Sequence, residues 1–184
     1  PDQKPRVASK KSVQTQEGEI VRFQLTNGVR VLVRENHTLP LVSIRSASLG
    51  GLRSESVKNN GINHLISALL TKGTQARTAR EIADETASLS CHIDGSMGRN
   101  ILGLSGTFLS EKIVEGMELF FDILLHPSFP EKEIAIEKGH TFTAIRNESD
   151  SLSSVAMKKF LKGLYPRHPY GLPALGTTSS VRSL

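Results

Sequence analysis

Residues able to bind a metal or move a proton are few in this 184-residue chain. Cys91 is the only cysteine, so neither an intrachain disulfide nor a thiolate zinc cluster can form. His92 follows it in a predicted strand, where adjacent side chains point to opposite faces, so the two do not converge on one ion. His64 sits on a predicted helix, and taken alone it reads as a hydrogen-bonding imidazole on that helix's polar face. Lys72-Gly73-Thr74 reads first as a helix stop. Arg53 and Glu55, two positions apart, read as a surface ion pair, with a neighbouring domain as the other candidate partner for Arg53.

Composition narrows the classes. Hydrophobic residues make up 38% and charged residues 22%, which fits a folded globular chain. The length suits one domain with a core of useful size. No apolar run approaches the roughly 20 residues that span a bilayer. Pro1–Lys11 is polar and basic with no apolar stretch behind it, unlike a secretory signal. The net charge of +5 does not indicate nucleic acid, because +3 of it falls within Pro1–Lys11 and the chain has two Tyr and no Trp for base stacking. Cysteine usage leaves both a bacterial periplasm and a cytoplasm open.

The elements that must position these residues follow from periodicity. Pro1–Gly18 has two prolines and no period, and reads as a linker or tail. Val21, Phe23 and Leu25 alternate, Thr26-Asn27-Gly28 supplies a hairpin turn, and Val29, Val31 and Val33 alternate back. Leu41–Ser48 is a third predicted strand, closed by Gly50-Gly51. Ile62, Leu65, Ile66, Leu69 and Leu70 form the apolar face of a helix expected to lie on the sheet, with His64 on another side. Thr78 and Glu81 form a capping box for a helix running to about Leu89. Two strands within Ser90–Phe108 turn near Gly95–Asn100. Three helices follow: one after Ser110, one from Pro130, and one over Ser151–Leu164. Thr178 or Ser179 is placed to cap a further helix. The fold class is α+β, with an antiparallel or mixed sheet of five or six strands packed against several helices.

Gly61-Ile62-Asn63-His64-Leu65-Ile66-Ser67-Ala68-Leu69-Leu70-Thr71-Lys72-Gly73-Thr74 resembles the active-site helix of pitrilysin/insulinase-type peptidases, the inverted zincins. Active members carry H-x-x-E-H followed by a hydrophobic pair and K-G-T. Leu25–Val33 resembles the family's opening hairpin, and Gly50–Glu55 its small-residue turn before the helix. His126-Pro127-Ser128-Phe129 and His168-Pro169-Tyr170-Gly171 are similar to later loops of the family, as is Leu175-Gly176-Thr177. The resemblance runs in order from about residue 18 to 184.

In the family, two histidines at i and i+4 and a distal glutamate hold zinc, while a glutamate between the histidines takes a proton from the bound water. Carried over, His64 matches the first histidine, Ser67 the base and Ala68 the second histidine. Within Glu137–Arg146, Ala144 falls at the distal glutamate with Thr143 beside it. No catalytic residue and no complete metal site are therefore expected. His64 and His140, the latter one turn from Ala144, are the possible remnant site.

The resemblance implies an inactive peptidase domain over 19–184, truncated at its C-terminal end, after a linker at 1–18. Its implied role is a non-catalytic half of a larger bacterial-type zinc metalloendopeptidase. It would wall a peptide-substrate chamber opposite a homologous zinc-bearing domain, on the same chain or on a separate subunit. Zinc is expected on that partner and no cofactor on this chain. The alternative is a structural scaffold similar to respiratory-complex core proteins.

Overall fold

The structure, a computed structural model, describes residues 18–184. The predicted tail therefore lies almost wholly outside the described residues. Among the described residues the chain divides into two compact units, 18–40 and 41–184.

In the first unit, β1 (Ile20–Gln24) pairs antiparallel with β2 (Arg30–Arg34), with Phe23 opposite Val31. The Asn-Gly turn forms where the residue types require it. Gly28 has φ 88°, and the Asn27 side chain accepts from the Val29 amide at 3.1 Å. Val21, Phe23, Val31 and Val33 share one face, while Arg22 and Arg34 lie on the other.

The second unit is a four-stranded antiparallel sheet with helices on one face. Its central strand is β6 (Ile101–Leu109). β5 (His92–Met97) runs along one side, and β3 (Leu41–Arg45) and β4 (Ser48–Leu49) along the other. Among the described residues, then, the expected five or six strands appear as six, split between sheets of two and four. The single strand expected over Leu41–Ser48 is interrupted after Arg45. Ser46 turns its hydroxyl inward to accept from the Leu104 amide at 3.0 Å. The Ser46 carbonyl crosses Gly103 so closely that a Cβ there would meet it at 2.1 Å.

The helices are α1 (Ile62–Leu69), α2 (Ala79–Ser88), α3 (Ile113–Leu125), α4 (Glu131–Asp150), α5 (Leu152–Leu164) and α6 (Thr178–Ser183). Short 3-10 turns cover Gly51–Ser54, Leu70–Lys72, Ser110–Lys112 and Pro169–Gly171. Thr78 and Glu81 close the expected capping box on α2. Two expected helix starts move by one residue. Pro130 is the N-cap of α4 rather than a first-turn residue, and Thr177, rather than Thr178 or Ser179, caps α6.

The core has two parts. Leu104 and Phe108 of β6 meet Leu119, Phe120 and Ile123 of α3, together with Leu70, Ile82 and Ile93. The Phe108 and Phe120 rings meet edge to face at 6.4 Å. The second part holds Leu65 and Leu69 of α1 with Val181 of α6, flanked by Ile134, Phe142 and Ile145 of α4. As expected, α1 lies on the sheet, against β5, but not through the side expected: Leu65 and Leu69 bury against α4 and α6. The opposite sheet face is polar: Ser43, Thr107 and His92 share one row. One face dry and one wet is the usual arrangement of an antiparallel sheet.

Candidate functional site

The site is built on α1, and the entry to α1 is unusual. Its N-cap is Gly61 at φ 97°, which has no side chain to cap the first amides. Glu55 takes over that task from six residues upstream. One carboxylate oxygen accepts from the Gly61 amide and the Asn60 side chain, both at 2.8 Å. The other accepts from the Asn63 amide and the Asn63 side chain, both at 3.0 Å. A carboxylate at a helix N-terminus is favoured by the dipole as well as by these bonds. Glu55 is only 4% exposed. The expected Arg53–Glu55 surface pair is therefore corrected, because all of the carboxylate's bonding serves α1. The Ser180 hydroxyl donates to the Asn60 carbonyl at 2.8 Å and ties α6 to the same point.

From that anchor α1 runs past β5. A Cβ on Gly95 would meet the Ser67 carbonyl at 1.9 Å, so only glycine admits the helix this close to the strand. Asn63, Ser67 and Leu70 thus form the strand-facing side, and Leu65 and Leu69 face α4 and α6. Helical spacing leaves His64 and Ala68 together on the face between these two. The Ser67 hydroxyl donates to the His64 carbonyl at 2.8 Å. His64 is half-buried. Burial pulls its imidazole pKa below the ordinary 6.5, and the carboxylates of Glu137, Glu55 and Glu148 partly oppose that.

α4 lies against α1. Glu137, His140, Thr141 and Ala144 fall on its one side at i, i+3, i+4 and i+7. Glu137 is buried, and its carboxylate is held from two directions. Lys72 Nζ stands 3.4 Å from one oxygen and His140 Nδ1 stands 3.4 Å from the other. Lys72 is thus more than part of a helix stop. The Thr141 hydroxyl donates to the Glu137 carbonyl at 2.8 Å. His140 itself is 70% exposed, and exposed Thr143 donates to the Gly139 carbonyl. His92 lies on the wet face beside Asp94, while half-buried Cys91 packs against the larger core, where burial pushes its thiol pKa up.

From sequence, neither Glu55 nor Glu137 has a place in the site. For Glu137 a signal existed: it lies seven residues before Ala144, two turns along the same face. For Glu55 only a surface pairing was legible.

The family model described as Insulinase (Peptidase family M16) matches residues 30–178. The chain belongs to the M16 peptidase family. It is 27% identical over 164 residues to an uncharacterized zinc protease, YmxG, of Bacillus subtilis, covering 89% of this chain and 40% of that one. An uncharacterized zinc protease of Rickettsia felis is 29% identical over 160 residues, covering 87% of this chain and 39% of the relative. The chain therefore spans about two fifths of the length of these relatives. Its fold matches a crystal structure described as the peptidase M16 inactive domain from Pseudomonas fluorescens. There the TM-score is 0.85 at 22% identity, over 90% of this chain and 40% of that one.

The names of these M16 relatives raise zinc, and the donor set can be weighed against it. A tetrahedral zinc site needs three protein ligands besides water. Around α1 and α4 stand two imidazoles, half-buried His64 and exposed His140, two alanines without lone pairs, a serine whose hydroxyl donates to backbone, and a carboxylate already held by Lys72 and His140. Among the described residues no three His, Cys, Asp or Glu side chains are grouped to hold a metal ion. These residues do not fit zinc, and no chemical step is derived through it.

Proposed function

We propose that this chain is a non-catalytic domain of an M16 zinc metalloendopeptidase, forming part of a peptide-substrate chamber opposite a homologous zinc-bearing domain. The observation that carries this reading is the composition of one helix face. On the family resemblance, Ala68 of α1 stands at the second ligand position and Ser67 at the base, and Ala144 of the adjacent α4 stands at the distal ligand. The Lys72 ammonium beside Glu137 supplies a fixed positive charge next to that face and neutralises a buried carboxylate that would otherwise be costly. A domain so arranged can shape a cavity and bind its walls to a partner, while the hydroxyl at the base position is committed to its own helix backbone.

The test has two arms. Purified chain is dialysed and analysed for metal, then assayed on a quenched peptide alone and with a zinc-bearing M16 domain encoded on the same chain or beside it. Expected are no stoichiometric zinc, no turnover alone, and turnover with the partner that exceeds the partner's own. One tightly bound zinc per chain, lost on His64→Ala, overturns the reading. A stable complex with no gain in turnover favours a structural scaffold instead.

A further inference from the structure

Arg53 and the His168-Pro169-Tyr170-Gly171 loop take no part in the candidate site, yet the fold brings them together. The turn Gly51–Ser54 packs on the turn Pro169–Gly171. The Arg53 amide donates to the Arg99 carbonyl at 2.8 Å, so these two arginines leave neighbouring stretches of backbone. The Tyr170 hydroxyl donates to Asn100 Oδ1 and ties the loop to the same β5–β6 connection. Both tyrosines of the chain meet here. The Tyr165 and Tyr170 rings stand edge to face at 5.5 Å, and the His168 ring lies 4.5 Å from Tyr170. The Arg99 guanidinium lies over the Tyr170 ring, 5.5 Å from its centre.

This patch has fixed donors and no carboxylate to meet them. Arg99 is exposed, and among the described residues its guanidinium has no hydrogen-bond or ion-pair partner. A guanidinium laid on a ring with its donors free can grip a carboxylate through two parallel N–H bonds. His168 Nδ1 accepts from the Tyr170 amide at 3.2 Å, which leaves the proton of the neutral ring on Nε2 as a further donor. Exposed Arg53 and Arg167 likewise have no ion-pair partner among the described residues. Residues 98–109 and 151–184 contain no acidic side chain, while 151–184 alone holds five lysines and arginines. Within 50–56 the one acidic residue is Glu55, and it is committed to α1. Positive charge left open in this way selects an anion. The rings argue against nucleic acid, whose bases need a row of open faces, because here they pack on one another and on Arg99.

We propose that this patch binds an acidic peptide segment. Arg99 takes one carboxylate as a fork, and the charges of Arg53 and Arg167 draw in the carboxylates beside it. This goes beyond the chamber reading and does not depend on it.

The test is fluorescence anisotropy of a labelled oligoglutamate peptide titrated with the full chain, with labelled oligothymidylate as the second probe. Expected is oligoglutamate binding that weakens as salt is raised. Arg99→Ala should weaken it about tenfold, and Arg99→Lys, which keeps the charge but loses the fork, about threefold or more. Lys132→Ala removes one exposed positive charge on α4, outside the patch, and should leave the affinity unchanged. All three positions are exposed side chains, so circular dichroism should match the parent chain. Absence of oligoglutamate binding overturns the proposal. Equal losses for Arg99→Ala and Lys132→Ala would show attraction by overall charge alone and overturn it too, as would an Arg99→Lys variant that binds like the parent. Tighter binding of oligothymidylate, lost on Arg99→Ala, would assign the patch to single-stranded nucleic acid and overturn it equally.

Discussion

The two ends of the short helix α1 are built on different principles. At its entry, one buried carboxylate accepts from four donor groups of Asn60, Gly61 and Asn63, and a serine of α6 pins that helix to the same point. One turn later, His64, Ser67 and Ala68, which the family resemblance sets at ligand and base positions, make hardly a side-chain bond outward. The difference teaches where the free energy of such a site resides. Holding a helix against a strand favours the pairing of buried polar groups, and at the entry Asn60 Oδ1 alone has no partner among the described residues. Presenting ligands to a metal is a separate task. An alanine at such a position leaves nothing unpaired, so the chemistry can be absent while the scaffold stands.

That contrast can be broken at its strong end first. Glu55→Ala would leave the buried Gly61 and Asn63 amides without an acceptor, while the Asn60 and Asn63 side chains keep bonds to the Pro173 and Gly51 carbonyls, and unfolding in urea should show a loss of about 3 kcal/mol or more. A loss below about 1 kcal/mol would mean the carboxylate does not anchor α1.

A second anchor sharpens the same point. Thr74 and Arg77 both donate to Asp122, at 2.8 and 2.7 Å, and Arg77 also engages Glu85 at 2.7 Å. Burial pushes the Asp122 carboxyl up, but the bonds from Thr74 and Arg77 outweigh it and hold its pKa below the ordinary 3.8. Asp122→Ala should cost about 2 kcal/mol in the same assay. An unchanged midpoint would confine the anchoring role to Glu55.

The effect of His64 is smaller and depends on pH. Its folded pKa lies below 6.5, so in mildly acid solution the unfolded chain binds the proton more readily. The stability it supports is whole above pH 6.5 and drains away as the pH falls through the folded value. His64→Gln should flatten the stability profile below pH 6.5 and leave it unchanged at pH 8. A profile that keeps its slope would show that His64 is not desolvated.

The least effect is expected on the emptied face. Ser67→Ala should shift stability by no more than about 0.5 kcal/mol, because its hydroxyl only bonds back to its own helix. A loss above about 1.5 kcal/mol would put that face among the structural residues and dissolve the comparison.

Local chemistry was legible in advance. Asn27-Gly28 can turn a hairpin because glycine takes positive φ freely, and Thr78 with Glu81 can close a cap because three residues of helix bring them together. The periodicity of α1 and the types at 64, 67, 68 and 144 stood in the sequence itself. Alternation could not foresee the break at Ser46, because that break answers to Leu104, 58 positions away.

The sequence by itself determined the element types, their order and the chemical identity of each position on the candidate face, since these depend on neighbours within a turn or two. Only the tertiary structure decided which side of α1 meets the strands, that Gly95 lets it approach, that Glu55 caps it and that Lys72 and His140 share Glu137. Each of these joins residues whose separation along the chain carries no period. Burial, which makes an unpaired donor or carboxylate costly, exists only once distant elements have closed over it.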